Sequence, residues 1–74
     1  MDKVTLLKKF GKNVKIERIK KDLTQEKLAE IMCVSQNYIA NIERGKANMS
    51  LVKMYELSVF LNVKLEKLLS FEVE

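Results

Sequence analysis

Two short helical patterns stand almost end to end in the stretch LTQEKLAEIMCVSQNYIANIERG, residues 23–45, and that closeness constrains the fold more than any other feature of the chain. Thr24 is a good helix N-cap, and Glu26 in the following turn faces the positive helix end, so a helix is predicted over residues 25–32. Cys33 and Val34 make a tight turn. Ser35 is a second N-cap, opening a helix over residues 36–44 that Gly45 stops. Leu28, Ala29 and Met32 fall on the inner face of the first helix, and Ile39 and Ile42 on that of the second, with Val34 plugging the turn between them. Ala29 is small where a close crossing needs it. Gln36, Asn37, Ala40, Asn41 and Arg44 are left pointing outward.

The rest of the chain reads as more of the same. Over residues 5–21, Leu7, Phe10, Val14 and Arg18 recur at helical spacing with lysines on the other faces, until Asp22 and Leu23 interrupt the pattern. After GKANM, Ser50 caps a fourth helix over 51–61, whose buried stripe is Met54, Leu57 and Leu61. Asn62 tolerates the left-handed conformation that ends a helix, and residues 65–69 make a last short one. With no proline and few β-branched runs, the chain is expected to be all-α: five helices with short connections, residues 1–74 forming a single domain. In the closing SFEVE, Phe71 and Val73 have no obvious home in a monomer core.

Composition narrows the function by exclusion. There is no histidine and a single cysteine, Cys33, so neither an internal disulfide nor a credible zinc site can be assembled. No Gly-rich phosphate loop is present, and no pair of acids lies in an apolar run, which leaves nothing from which to build a catalytic site. The opening MDKVTLLKKFGK is too polar and too charged for a secretory signal, and no apolar run approaches the roughly 18 residues of a membrane span. A cytoplasmic protein with no membrane contact, no cofactor and no small-molecule ligand is expected. The formal charge of +4 is uneven: residues 1–21 carry a net +6 and residues 22–74 a net −2. A basic end on so small a chain suits a polyanion partner, although a solubilising lysine face would look the same.

Two short helices joined by a turn of about three residues have the geometry of a helix-turn-helix. Here the chain resembles the phage-repressor-like helix-turn-helix family, the Cro/cI or xenobiotic-response-element type. Thr24-Gln25, Leu28-Ala29, Val34-Ser35-Gln36, Tyr38-Ile39 and Ile42-Glu43-Arg44-Gly45-Lys46 all match, with flanking agreement at Arg18 and in LSVFLNVKLEKLL. The resemblance implies a compact five-helix, lambda-repressor-like domain, its helix-turn-helix near residues 25–44. It further implies a homodimer binding double-stranded DNA at palindromic operators to regulate transcription, most simply by repression. Gln36, Asn37 and Asn41 would read bases, because a side-chain amide donates and accepts at once and so matches N6 and N7 of adenine. Gln25, at the anion-favouring start of its helix, would touch phosphate together with Tyr38, Arg44, Lys46 and Asn48. Arg18 and Glu43 would form a partly buried salt bridge of the scaffold. Leu65, Leu69, Phe71 and Val73 would make the dimer contact, leaving the reading face free.

The chain also departs from the family pattern. Cys33 stands at the usual turn glycine, so either the turn is altered or Cys33 packs as a small apolar group; a redox role for it is a further reading. Asp22 likewise replaces a common glycine. Ile16 and Ile31 occupy positions that are usually polar, which fits either additional core or a contact surface. Other circuits use the same fold, namely antitoxins and controller proteins of restriction-modification systems. A protein-interaction module that no longer touches DNA is a reading from a different class.

Overall fold

The computed structural model describes residues 1–71; Val73, one of the expected dimer contacts, lies outside them. Five helices follow in order: α1 Lys3–Lys20, α2 Gln25–Met32, α3 Gln36–Glu43, α4 Leu51–Phe60 and α5 Leu65–Leu68. Four of them open on a side-chain cap. Thr24, Ser35 and Ser50 accept from the backbone N–H groups of Lys27, Tyr38 and Lys53 at 3.0, 3.0 and 3.2 Å. Asp2 does the same for Thr5 at 2.8 Å, so α1 begins two residues earlier than its apolar spacing suggests. That hydrogen bond holds the Asp2 carboxyl below the ordinary carboxylate range.

The helices also stop alike. Asp22, Cys33, Gly45 and Asn62 all have positive φ, between 55° and 76°. In each case the residue after them returns an N–H to a carbonyl five positions back: Leu23 to Arg18, Val34 to Ala29, Lys46 to Asn41 and Val63 to Ser58, at 2.8–3.1 Å. This is the Schellman closure, in which the returning residue commonly packs an apolar side chain against the helix it ends. Leu23, Val34 and Val63 do so, half-buried against the core. Lys46 does not; it is exposed. Cys33 therefore keeps the left-handed turn, at φ 58°, and its side chain is exposed rather than packed as a small apolar group.

Phe10, Val14, Leu28, Ala29, Ile39, Ile42, Leu57, Leu61 and Leu68 form one buried cluster. Within it α1 packs on α3 and α5, α2 on α3, and α4 chiefly on α5. Met32 and Met54 are only half-buried at its margin. Ile16 and Ile31 are not extra core: they are 39% and 41% exposed. Phe71 does find a place in the monomer, half-buried against the cluster, contrary to the sequence expectation. The Asn13 amide steers it there by donating to the carbonyls of Leu68 and Ser70 at 2.9 and 3.1 Å, which ties the end of α5 to α1.

Two contacts set the position of α3. At Gly11 the backbones of α1 and α3 touch, and a Cβ there would collide with the carbonyl oxygens of Ile42 and Glu43. About two helical turns along α1, Arg18 reaches Glu43 with two hydrogen bonds, Nε to Oε2 at 2.7 Å and Nη2 to Oε1 at 3.1 Å, while Nη1 donates to the Leu23 carbonyl at 2.7 Å. The two side chains are only 10% and 3% exposed, so each desolvated charge depends on the other.

Replacing Gly11 by Ala is expected to cost about 3 kcal/mol or more, because the obstacle is backbone and cannot turn aside. A denaturant titration showing less than about 1 kcal/mol would contradict the contact. Arg18→Met alone should cost roughly 3–5 kcal/mol by stranding Glu43, and Arg18→Met with Glu43→Leu should recover part of the loss. Strictly additive single-mutant effects in thermal melts would mean that the pair is not coupled.

Candidate nucleic-acid interface

The packing of α3 on α1 and α2 decides what it shows to solvent. Ile39 and Ile42 are 0% and 1% exposed, which turns the opposite side of an eight-residue helix outward. Gln36 and Asn37 lie in its first turn and are exposed. Asn41, one turn further along the same side, is half-buried, and its side-chain oxygen accepts a hydrogen bond from Nη2 of Arg44. Arg44, Lys46 and Asn48 are exposed beyond it. The expected readers thus share a face, but not on equal terms: Gln36 and Asn37 are free to reach out, whereas Asn41 is engaged with a neighbour.

Gln25 sits in the first turn of α2, beside Gln36 across a shallow hollow that Arg18, Thr24 and Glu26 also line. Its Nε2 donates to Oε1 of Glu43 at 3.0 Å, the same oxygen that Arg18 holds. The amide is therefore oriented from below, with one N–H committed to the scaffold and the other N–H and the carbonyl available. Thr24 caps the helix by accepting from the Lys27 N–H at 3.0 Å. Glu26 shares this hollow, so the positive end of α2 is partly balanced there. Tyr38 is half-buried, its ring packed on the core beside Met32 and Val34, so its surroundings are more apolar than those of a free surface contact.

Two features were not anticipated from the sequence. Lys8 on α1 lies against Gly45, whose added Cβ would come within 2.7 Å of the Lys8 backbone nitrogen and Cγ. The backbone and Cγ of Lys8 thereby lie beside the turn that ends α3, while its charge also acts on Asp2. The second is α4, where Leu51, Val52, Tyr55, Val59 and Phe60 are 44–66% exposed, an apolar surface on a ten-residue helix. Of the expected dimer contacts, Leu69 is 39% exposed and Leu65 and Phe71 are half-buried. Among the described residues no cluster of His, Cys, Asp or Glu could hold a metal ion, and no helix is long and apolar enough to cross a membrane.

Comparison with known proteins agrees with this architecture. A family model described as helix-turn-helix matches residues 14–68. The control protein C.BamHI of Bacillus amyloliquefaciens is 40% identical over 63 residues, covering 84% of this chain and 78% of that one. The control protein C.MunI of a Mycoplasma species is 36% identical over 63 residues, covering 84% and 85%. The crystal structure of the restriction-modification controller protein C.AhdI from Aeromonas hydrophila superimposes with a TM-score of 0.77 at 35% identity, covering 84% of this chain and 94% of that chain. With the model matched over most of its length and the helix-turn-helix geometry in place, the chain belongs to the Cro/cI-type helix-turn-helix family of DNA-binding transcriptional regulators.

Proposed function

We propose that the chain is a homodimeric regulator that recognises a palindromic operator, with Gln36 and Asn37 reading base edges from the first turn of α3. The observation that carries this is their exposure on a helix whose other side is locked into the core by Ile39, Ile42 and the Arg18–Glu43 pair. A major groove about 12 Å wide admits such a helix, and its base pairs display distinct donor and acceptor patterns to amides placed at its entering end. Gln25, pre-oriented by Glu43, meets a backbone phosphate; Arg44, Lys46 and Asn48 supply further backbone contacts. Tyr38 contributes only through its hydroxyl edge, its ring being held by the core. Such a regulator works in the compartment that holds the DNA, the cytoplasm.

The second subunit sits on the apolar side of α4. This helix packs chiefly on α5 and α2 rather than on α3, so a two-fold contact through it would leave both α3 helices free to meet successive major grooves about 34 Å apart. Leu51, Val52, Tyr55, Val59 and Phe60 bring the exposed area. Of the other residues expected at the interface from sequence, Leu65 is half-buried and Phe71 packs against the core of its own subunit; Val73 falls outside the described residues.

A more specific reading is favoured by the relatives: a controller of a restriction-modification system, the role that the names of C.MunI, C.BamHI and C.AhdI carry. Genes for an endonuclease and a methyltransferase beside this one, with endonuclease transcript levels changing on its deletion, would support the controller role; their absence would leave the simpler operator-binding repressor.

Selection of bound fragments from random duplex DNA should return a palindromic consensus. Against that site, Gln36→Ala and Asn37→Ala should each lose about 1–3 kcal/mol of binding and relax the preference at one base position per half-site. Wild-type affinity in both variants would remove them from the reading face. Val59→Asp, at an exposed position where folding is not at stake, should shift the protein toward monomer in sedimentation and weaken a two-half-site operator while sparing a single half-site. A wild type that sediments as a monomer at high concentration and on DNA would end the dimer proposal.

A further inference from the structure

We infer that Lys8, Arg44 and Lys46 form a phosphate clamp at the C-terminal end of α3, and that Asn41 is its positioning residue rather than a reader of bases. The inference rests on the DNA-binding reading above and deepens it.

Three independent features of the fold converge on this edge. Asn41 occupies the third position from the end of α3, and its backbone carbonyl accepts the N–H of Lys46 at 2.8 Å, while its side-chain oxygen accepts from Arg44. One residue thus fixes the main chain of one cation and the guanidinium of another. Next, Lys46 fills the position that in the other three equivalent helix ends is an apolar residue packed on the core, and here it is exposed instead. Finally, the close approach at Gly45 places Lys8 of α1 beside the same turn. The acid that stands nearest in sequence, Glu43, is turned inward and held by Arg18 and Gln25, so its charge is already matched.

Geometry says which part of DNA this edge meets. Eight residues at about 1.5 Å each give α3 a length of about 12 Å, close to the width of the major groove. With Gln36 and Asn37 entering at base level, the opposite end of α3 comes to the groove wall, where phosphates lie. The hollow at the start of α2 contains Glu26 and an Arg18 already paired, whereas the Lys8, Arg44 and Lys46 edge is cationic on all three counts. Asn41 itself has its oxygen engaged and is half-buried, a poor arrangement for the two-bond contact by which an amide identifies adenine.

The test is equilibrium binding of the full chain to its selected duplex and to a scrambled duplex across a salt series, with thermal melts on every variant. Lys8→Gln, Arg44→Gln and Lys46→Gln should each lower the slope of log K against log salt by about 0.9 and weaken both duplexes alike. Asn41→Ala should weaken both duplexes roughly tenfold or less, leave the selected consensus unchanged, and add nothing further in combination with Arg44→Gln. An unchanged slope for Lys8→Gln in a folded protein removes that residue from the clamp. A relaxed base preference in Asn41→Ala, or effects additive with Arg44→Gln, overturns its positioning role. If the wild type itself selects no sequence, the operator-binding reading fails; if it selects a consensus and the four variants behave like wild type, only the clamp fails.

Discussion

The pairing of Arg18 with Glu43 is the contact on which the arrangement of the other elements depends. It joins the end of α1 to the end of α3 through two hydrogen bonds in a nearly dry setting, and its third donor holds the Leu23 carbonyl where the chain turns into α2. The same carboxylate then accepts from Gln25. Three helices are thus referred to one carboxyl group, and the first residue of α2 is set at a fixed place relative to the outward side of α3. A buried pair of this kind contributes little net stability over a well-packed apolar substitute, but it is intolerant of losing one member. Its value here is register: it allows one mutual placement of α1, α2 and α3 and disfavours neighbouring ones.

That placement explains why a domain with such small hydrophobic resources can present a defined surface. Gly11 lets the α1 and α3 backbones touch, Ile39 and Ile42 fill the space between α3 and its neighbours, and caps at Thr24 and Ser35 fix where α2 and α3 start. Polar groups on the outer side of α3 then inherit their positions from the core beneath. Function at this surface is a matter of which side chains are free and which are held, a distinction between Asn37 and Asn41 that their chemistry alone does not make.

Much of this was legible in the sequence because helix ends are written locally. Thr24, Ser35 and Ser50 act through N–H groups three residues away, and Asn62 and Gly45 act through their own φ, so neither needs a distant partner to be recognised. The departures arise where the deciding partner is remote in sequence. The role of Gly11 depends on α3 carbonyls more than thirty residues away. Phe71 looked stranded because its support comes through Asn13, far back on α1. Leu68 is the fully buried residue of α5 while Leu69 stays exposed, a choice of face that four residues of helix are too short to declare by periodicity. The buried stripe of the fourth helix followed from its spacing at Leu57 and Leu61, while Met54 is only half-buried and Val52, Tyr55 and Val59 face solvent. At the interface, the outward set on α3 followed from the spacing of Ile39 and Ile42, but the Arg44–Asn41 bond and the nearness of Lys8 are tertiary facts.

The contact at Gly11 also bears on how such a protein diversifies. Because α1 and α3 meet there backbone to backbone, α3 is not an interchangeable part: grafted into a relative with a larger residue at that position, it would be held off the core and tilted. The side of α3 that carries Gln36 and Asn37 touches none of this, so its residues are at liberty to change without disturbing the fold. If α3 reads DNA as proposed, new operator preferences could accumulate by point substitution on one side of a helix whose other side is fixed, whereas exchange that separates residue 11 from residues 42 and 43 would disturb the fold.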